Sequence, residues 1–318
     1  MKKYVTKLGL FLGLVSFLPV MLVTLLSINS YQPILTNSLS FDTKLHHILD
    51  NDIQKVDVMV HGSSIALNNF HSETFSSYLS DELSFYNFSS WNLNMENNYL
   101  ILDVFTERFE PKTVILPSCY EDFQQAVVQL CSKSDLNLFL DDYAKPFFYL
   151  KHLDLFNILR RKKNVDEFRR ESVKNTQKQY FLDENGGVSL TVSKQNLNLK
   201  RWNKELIAKI DTNQYTYLEK ICETMQERNI KLVYVQTPMK KDNCKTKECQ
   251  DFQKAHQKLV KDIVEKYGHT YEDFYTDNPY PDSMFCDEIH LNLDGPSYFT
   301  KQLVSKLDNG EIITRVKN

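Results

Sequence analysis

The sequence predicts an α/β protein: a parallel β-sheet wrapped by helices in three α/β/α layers, with an inserted helical and hairpin segment and an N-terminal membrane-spanning helix. Three observations carry this expectation. Short apolar runs rich in β-branched residues (56–60, 113–117 and 230–235) alternate with longer segments whose apolar residues recur at helical spacing. Alternation of this kind is how parallel sheets with helix-covered faces are encoded, because each crossover needs a helix. The stretch from Leu8 to Ile28 is uncharged and mostly apolar, long enough at 1.5 Å per residue to cross a bilayer. Residues 135–200 break the alternation, being rich in aromatic and basic side chains.

Taken in order, residues 1–7 form a cytoplasmic tip carrying Lys2, Lys3 and Lys7, and residues 8–28 form a signal anchor. The lysines on the short N-terminal side place it inside and the rest of the chain outside. The stretch exceeds the roughly 7–15 apolar residues of a cleavable signal, and Leu26-Ser27-Ile28-Asn29-Ser30 is a poor cleavage site, so an uncleaved anchor is favoured over a cleaved signal. Residues 29–51 are expected to form a stalk with a short helix, and 52–318 the extracytoplasmic domain, with the insertion at about 135–200. Within that domain the expected order is strand 56–60, a helix containing Phe75 to Leu83, strand 84–88, helix 95–109 and strand 113–117 ended by Pro117. Two or so helices and a hairpin or flap follow, the hairpin announced by Asp183-Glu184-Asn185-Gly186-Gly187 before Val188 to Val192. The chain resumes with helix 204–228, strand 230–235, helix 248–267, strand 271–275 and helix 298–307, the last starting after Gly295-Pro296.

Composition narrows the function classes. The net charge of −3 gives no broad electrostatic footprint for nucleic acid. Local basic runs such as Arg160-Arg161-Lys162-Lys163 and Arg169-Arg170 read first as solvated helix faces, with a polyanion contact as the other option. Six cysteines lie in a compartment that permits disulfides, and Cys244 and Cys249 flank a short polar loop that suits a local bridge; two free thiols are the alternative.

The chemistry concentrates at opposite ends of the domain. Val56 to Val60 runs into His61-Gly62-Ser63-Ser64, and Asp287-Glu288-Ile289-His290-Leu291-Asn292 stands near the end, with Gly295 soon after. Serine, histidine and aspartate are the parts of a nucleophile, a general base and an orienting group. A serine alcohol needs a base to take its proton, and a strand-to-helix turn exposes it. Taken singly, each residue has a plainer reading: Ser64 as a helix cap, Asp287 as a turn residue, His290 as a packed or surface histidine. Ser63 competes with Ser64. His61 reads as a strand-end residue or a site-lining one, and metal binding by Asp287 and His290 lacks further ligands.

The order Ser, Asp, His, with Gly62-Ser63-Ser64 first and Asp287-x-x-His290 last, resembles the SGNH/GDSL hydrolase superfamily, and more narrowly its membrane-anchored members that work on cell-envelope polymers. The string Phe285 to Asn292 with Gly295, Phe299 and Thr300 carries the narrower likeness, which spans about 52–120 and 228–308. The resemblance implies an SGNH-like, flavodoxin-like fold and assigns catalysis to Ser64, His290 and Asp287. It implies no cofactor and no metal. It implies acyl transfer to, or ester removal from, an envelope polysaccharide through an acyl-serine, with a multi-pass membrane acyltransferase as possible partner.

The chain departs from that pattern at the oxyanion hole. The superfamily places a glycine after its second strand and an asparagine after its third; here stand Ser89-Ser90-Trp91-Asn92 and Ser118-Cys119-Tyr120-Glu121-Asp122. The Ser64 amide is the one donor expected to survive, with Ser63, Asn92 or Ser90, and Ser118 as candidates for the rest. A carbohydrate-binding or assembly subunit with weak or lost catalysis therefore stands as the competing class. Trp91, Trp202 and the aromatics between 139 and 181 read as packing or as sugar-stacking surfaces.

Overall fold

A computed structural model describes residues 2–29, 31–141, 145–152, 154–174, 180–202, 210–241, 244–276 and 280–308, the side chains of Arg201, Trp202 and Asp308 excepted. Five strands, β1 (Val58–Val60), β2 (Phe85–Asn87), β3 (Thr113–Ser118), β4 (Lys231–Gln236) and β5 (Thr270–Asp273), make one all-parallel sheet in the order β2-β1-β3-β4-β5. This is the doubly wound order that reverses beside the first strand, where such sheets carry their sites.

The pleat sorts the core into two halves. Met59, Tyr86, Val114, Leu116, Leu232 and Tyr234 face one side, where α2 (Leu39–Asp50), α5 (Met95–Phe109), α10 (Asn213–Glu227) and α11 (Lys247–Lys266) pack. Val58, Val60, Phe85, Ile115, Val233 and Val235 face the other, against α4 (Ser72–Ser76) and α12 (Gly295–Asp308). The short α3 (Ser64–Asn69) leaves the end of β1. N-caps come from Ser38, Ser63, Asn94 and Thr246, whose side-chain oxygens each accept a backbone N–H of the first turn.

Several expectations need correction. The helix expected through Phe75 to Leu83 ends at Ser76; the chain from Ser77 to Glu82 turns back toward β2, and Phe75 enters the core at 0% exposure. The helix expected over 204–228 has its described start at Asn213, after Asp211 and Thr212; residues 204–209 lie outside the described residues. Residues 29–51, expected as a stalk with a short helix, carry that helix as α2, but its Phe41, Leu45 and Ile48 are buried in the same core as the sheet rather than standing off it. Pro117 does not end β3 but pairs within it, opposite Val235 of β4. It is tolerated because β1 pairs with β3 only as far as Ile115 before turning off at Gly62, so no ladder partner needs a donor there.

The insertion is helical: α6 (Lys133–Leu140), α7 (Lys145–Lys151), α8 (Leu155–Val173) and the four-residue α9 (Leu199–Trp202). No hairpin follows the Asp183–Gly187 turn. Residues 188–192 run as an irregular segment whose backbone bonds go elsewhere: Val188 N–H donates to Leu67 O, and Leu190 O accepts from Leu293 N–H. Gly186 needs its positive φ of 80°, since a Cβ there would lie 2.5 Å from the Asn87 carbonyl oxygen. Finally, α1 (Lys2–Ile28) is a single apolar helix long enough to cross a membrane.

Candidate active site

β1 ends at the nucleophile turn. Gly62 takes φ +154°, and a Cβ on it would stand 2.8 Å from the Ala66 Cβ and 3.0 Å from the Pro117 oxygen, so only glycine lets the chain turn this close to β3. Ser63 caps α3 by accepting the Ile65 N–H at 3.2 Å. Ser64 follows as the first helical residue, half-buried, with its hydroxyl toward the loop before α12.

That loop supplies the rest. His290 Nε2 lies 2.9 Å from Ser64 Oγ, and His290 Nδ1 lies 2.9 and 3.0 Å from the two Asp287 carboxylate oxygens. With Nδ1–H donating to the carboxylate, Nε2 is left as the acceptor for the serine proton. Asp287 Oδ1 also accepts the backbone N–H groups of Ile289 (3.1 Å) and His290 (2.8 Å), which fixes the carboxylate before the imidazole is placed. Asp287 is 1% and His290 4% exposed. The structure thus brings Ser64, His290 and Asp287 into one hydrogen-bonded chain.

Two asparagines that sequence reasoning gave no role hold the loop. Asn69, on α3 five residues after Ser64, donates to Ile289 O (2.9 Å) and accepts Leu291 N–H (2.7 Å), bracketing His290 from both sides. Asn292 makes the same paired contact with the insertion, accepting Val192 N–H at 2.7 Å and donating to Val192 O at 2.8 Å. A polar residue five positions beyond the serine is the only signal in the sequence for Asn69, and it does not distinguish a strut from a solvated position.

Several of the expected oxyanion donors carry hydrogen bonds of their own. Ser118 Oγ donates to Asp122 Oδ2 at 2.7 Å, and the Ser63 hydroxyl acts on the same carboxyl. Both serines are buried. Burial pushes the Asp122 carboxyl up to about 7, against the lowering effect of those two hydroxyls. Ser90 is committed as well, its N–H to Gly62 O (3.1 Å) and its hydroxyl to Ser40 Oγ (2.9 Å). Asn92 is exposed in a left-handed turn, φ 59°, before α5.

His61 is fully buried edge-on to Phe105, and burial lowers it to about 3, so it stays neutral in the core rather than lining the site. Trp91 packs on Tyr180 (centroids 4.5 Å) and Phe168 (5.2 Å), joining the insertion to the body; the side chain of Trp202 lies outside the described residues. Cys244 and Cys249 are joined by a disulfide.

No family model matches the sequence, and no curated protein sequence matches it. Among solved structures, an alpha/beta hydrolase enzyme, LAE5, from the metagenome of Lake Arreo, Spain, is similar at 10% identity and TM-score 0.45, covering 81% of this chain and 97% of its own. A lipase/acylhydrolase from Enterococcus faecalis is similar at 11% identity and TM-score 0.43, covering 82% and 99%. Axe2, an acetylxylan esterase from Geobacillus stearothermophilus, is similar at 10% identity and TM-score 0.40, covering 80% and 94%.

Proposed function

We propose that this chain is an SGNH-type serine enzyme that cleaves an acyl ester and passes the acyl group to water or to a sugar hydroxyl of an extracytoplasmic polysaccharide. The single observation that carries the reading is the Ser64–His290–Asp287 relay at 2.9–3.0 Å. His290 Nε2 takes the Ser64 proton as Oγ attacks the ester carbonyl, and the imidazolium formed is held by Asp287. The tetrahedral intermediate collapses, the C–O bond of the alcohol breaks, and the imidazolium returns its proton to the leaving oxygen. An acyl-serine remains. Water or a sugar hydroxyl then gives a proton to Nε2, attacks the acyl carbon and frees Ser64.

The Ser64 amide is the donor for the oxyanion, while the Ser118 hydroxyl donates to Asp122 and Ser90 donates to Gly62 and Ser40, which supports slow turnover of small esters; each missing donor costs about 10²–10³ in rate. An apolar α1 supports a single-pass anchor with the domain outside, where a polysaccharide acceptor and a membrane-bound acyl donor partner would meet it.

The test uses the full chain in detergent with a p-nitrophenyl acyl ester, with and without an added polysaccharide. Expected are Ser64-dependent release of p-nitrophenol and acyl groups recovered on the glycan. Glycan binding with no turnover, unchanged in Ser64→Ala, would leave a binding subunit instead.

A further inference from the structure

The insertion meets α1. Val23 and Leu26, in the last two turns of α1, are buried against Tyr149 of α7 and Ile158 of α8, with Tyr31 and Ile34 beside them. The Tyr149 hydroxyl donates to the Tyr31 carbonyl. Val23 stands five residues before Ile28, about 7.5 Å along the axis at 1.5 Å per residue. A bilayer crossed by α1 therefore has its surface at the level of α7 and α8.

Those helices carry what a bilayer surface needs. Phe147, Leu150, Leu155, Phe156 and Leu159 are exposed, Phe156 at 74%. Soluble surfaces rarely leave so many large apolar side chains together. Exposed Arg160 and Lys163 follow Phe156 at i+4 and i+7 on the same helix side, where basic side chains reach up from an apolar stripe to phosphate level.

Behind them lies a cavity of about 310 Å³ between the end of α1, α2 and the two insertion helices. Its cationic lining is Lys145, Arg161, Lys162 and Arg169, with Asp50 the one carboxylate in the wall. Arg161 is tied down, donating to Asp42 Oδ2 (2.8 Å) and to the Thr36 and Ser38 carbonyls, so it fixes the wall. Lys162 Nζ sits 5.8 Å over the Tyr31 ring and 3.8 Å from Asp166.

We propose that this cavity receives the phosphate headgroup of an anionic glycerophospholipid while Phe147, Leu150, Leu155, Phe156 and Leu159 enter the acyl-chain boundary, so that α7–α8 is a second membrane contact. The proposal rests on the reading of α1 as a retained anchor. A lipid fits better than a soluble anion because the basic cavity opens between the span and an apolar patch, which offers contacts to both charge and chains. The contact also bears on the site: the same insertion continues through Tyr180 and Val192 to Asn292, two residues from His290.

Native mass spectrometry of the full chain released from nonionic detergent tests this, with phosphatidylglycerol, phosphatidylcholine and glycerol phosphate as probes. Phosphatidylglycerol is expected to be retained at least about tenfold better than phosphatidylcholine. K162Q/R169Q is expected to remove that preference while ester hydrolysis, the check on folding, is unchanged. Equal retention of the two lipids, a preference untouched by K162Q/R169Q, or displacement by glycerol phosphate at matched concentration would overturn it. F156W in nanodiscs should be quenched by shallow brominated lipid; no quenching contradicts the apolar contact. The intact mass in the same spectra reads whether residues 1–28 are kept. Their loss removes the anchor and this proposal together, whereas hydrolysis at Ser64 is scored separately.

Discussion

The two sides of the nucleophile turn use the same residue types to opposite ends. On one side Ser64 meets an imidazole that is backed by a buried carboxylate, Asp287. On the other, Ser118 meets a buried carboxylate, Asp122, directly, and Ser63 acts on the same carboxyl. Serine and aspartate are common to both; the histidine is not. Ser63, Ser118 and Asp122 are a strut because all three are buried, with the Ser118 hydroxyl committed to Asp122 and Ser63 accepting the Ile65 N–H as the cap of α3, whereas Ser64 is half-buried at the open end of its turn. What separates a relay from a scaffold here is the residue placed between the two groups, and that placement depends on Asn69 and Asn292 holding one loop.

The largest expected effect is on the relay. Ser64→Ala and His290→Ala should each reduce ester cleavage to background, and the double variant should add little, because the members act as a unit. Asp287→Asn should cost about 10⁴ in kcat, as an amide favours the wrong imidazole tautomer. Steady-state kinetics with an activated ester read all four; additive losses would break the unit.

Next comes Asn69→Ala. It removes the bonds to Ile289 O and from Leu291 N–H that frame His290. A displacement of about 1 Å at the base costs roughly 10² in rate, so kcat should fall by that order with KM little changed. A loss confined to KM would mean that Asn69 touches substrate instead.

Asp122→Asn should act on stability more than on rate. The folded carboxyl is raised to about 7 from its ordinary 3.8, so the native state holds the proton more tightly than the unfolded chain between those values. Wild-type stability therefore falls as pH rises through that window, and the cost is complete above about pH 7. The melting temperature of the variant minus that of wild type should be smallest near pH 4 and grow to a plateau above 7. A difference that shrinks with pH would contradict the burial argument.

The smallest effect on activity belongs to the disulfide. Closing so short a loop is worth about 2 kcal/mol by chain entropy, so C244S/C249S should unfold at lower denaturant with unchanged kcat. Lost activity at intact fold would tie the Cys244 loop to the site.

How much of this is legible in the sequence varies with the range of the contact. Strand positions are readable because β-branched runs such as Val58–Val60 and Lys231–Gln236 are buried on both faces and need no partner to declare themselves. The relay is readable because its members lie in two short strings. The helix expected through Leu83 fails because Phe75 and Leu79 have helical spacing, yet Phe75 packs with Phe70 and Phe85 across a turn. The hairpin fails because Gly186-Gly187 announces a turn without saying where the next segment's bonds go; they go to Leu67 and Asn292, far away in the chain. The fate of Ser63 and Ser118 is invisible for the same reason. Only the folded chain shows that Asp122 takes the Ser118 hydroxyl while Ser63 caps α3.

The relay is tested most directly by where an acyl group lands. The wild-type full chain is mixed with an activated acyl ester, quenched in acid within the first turnovers, digested, and its peptides sequenced by mass spectrometry. The relay predicts one acyl adduct, on Ser64, that decays when water or a sugar acceptor is given time, and no adduct on Ser63 or Ser118. An adduct on Ser63 or Ser118, or hydrolysis continuing with Ser64 replaced by alanine, would contradict it.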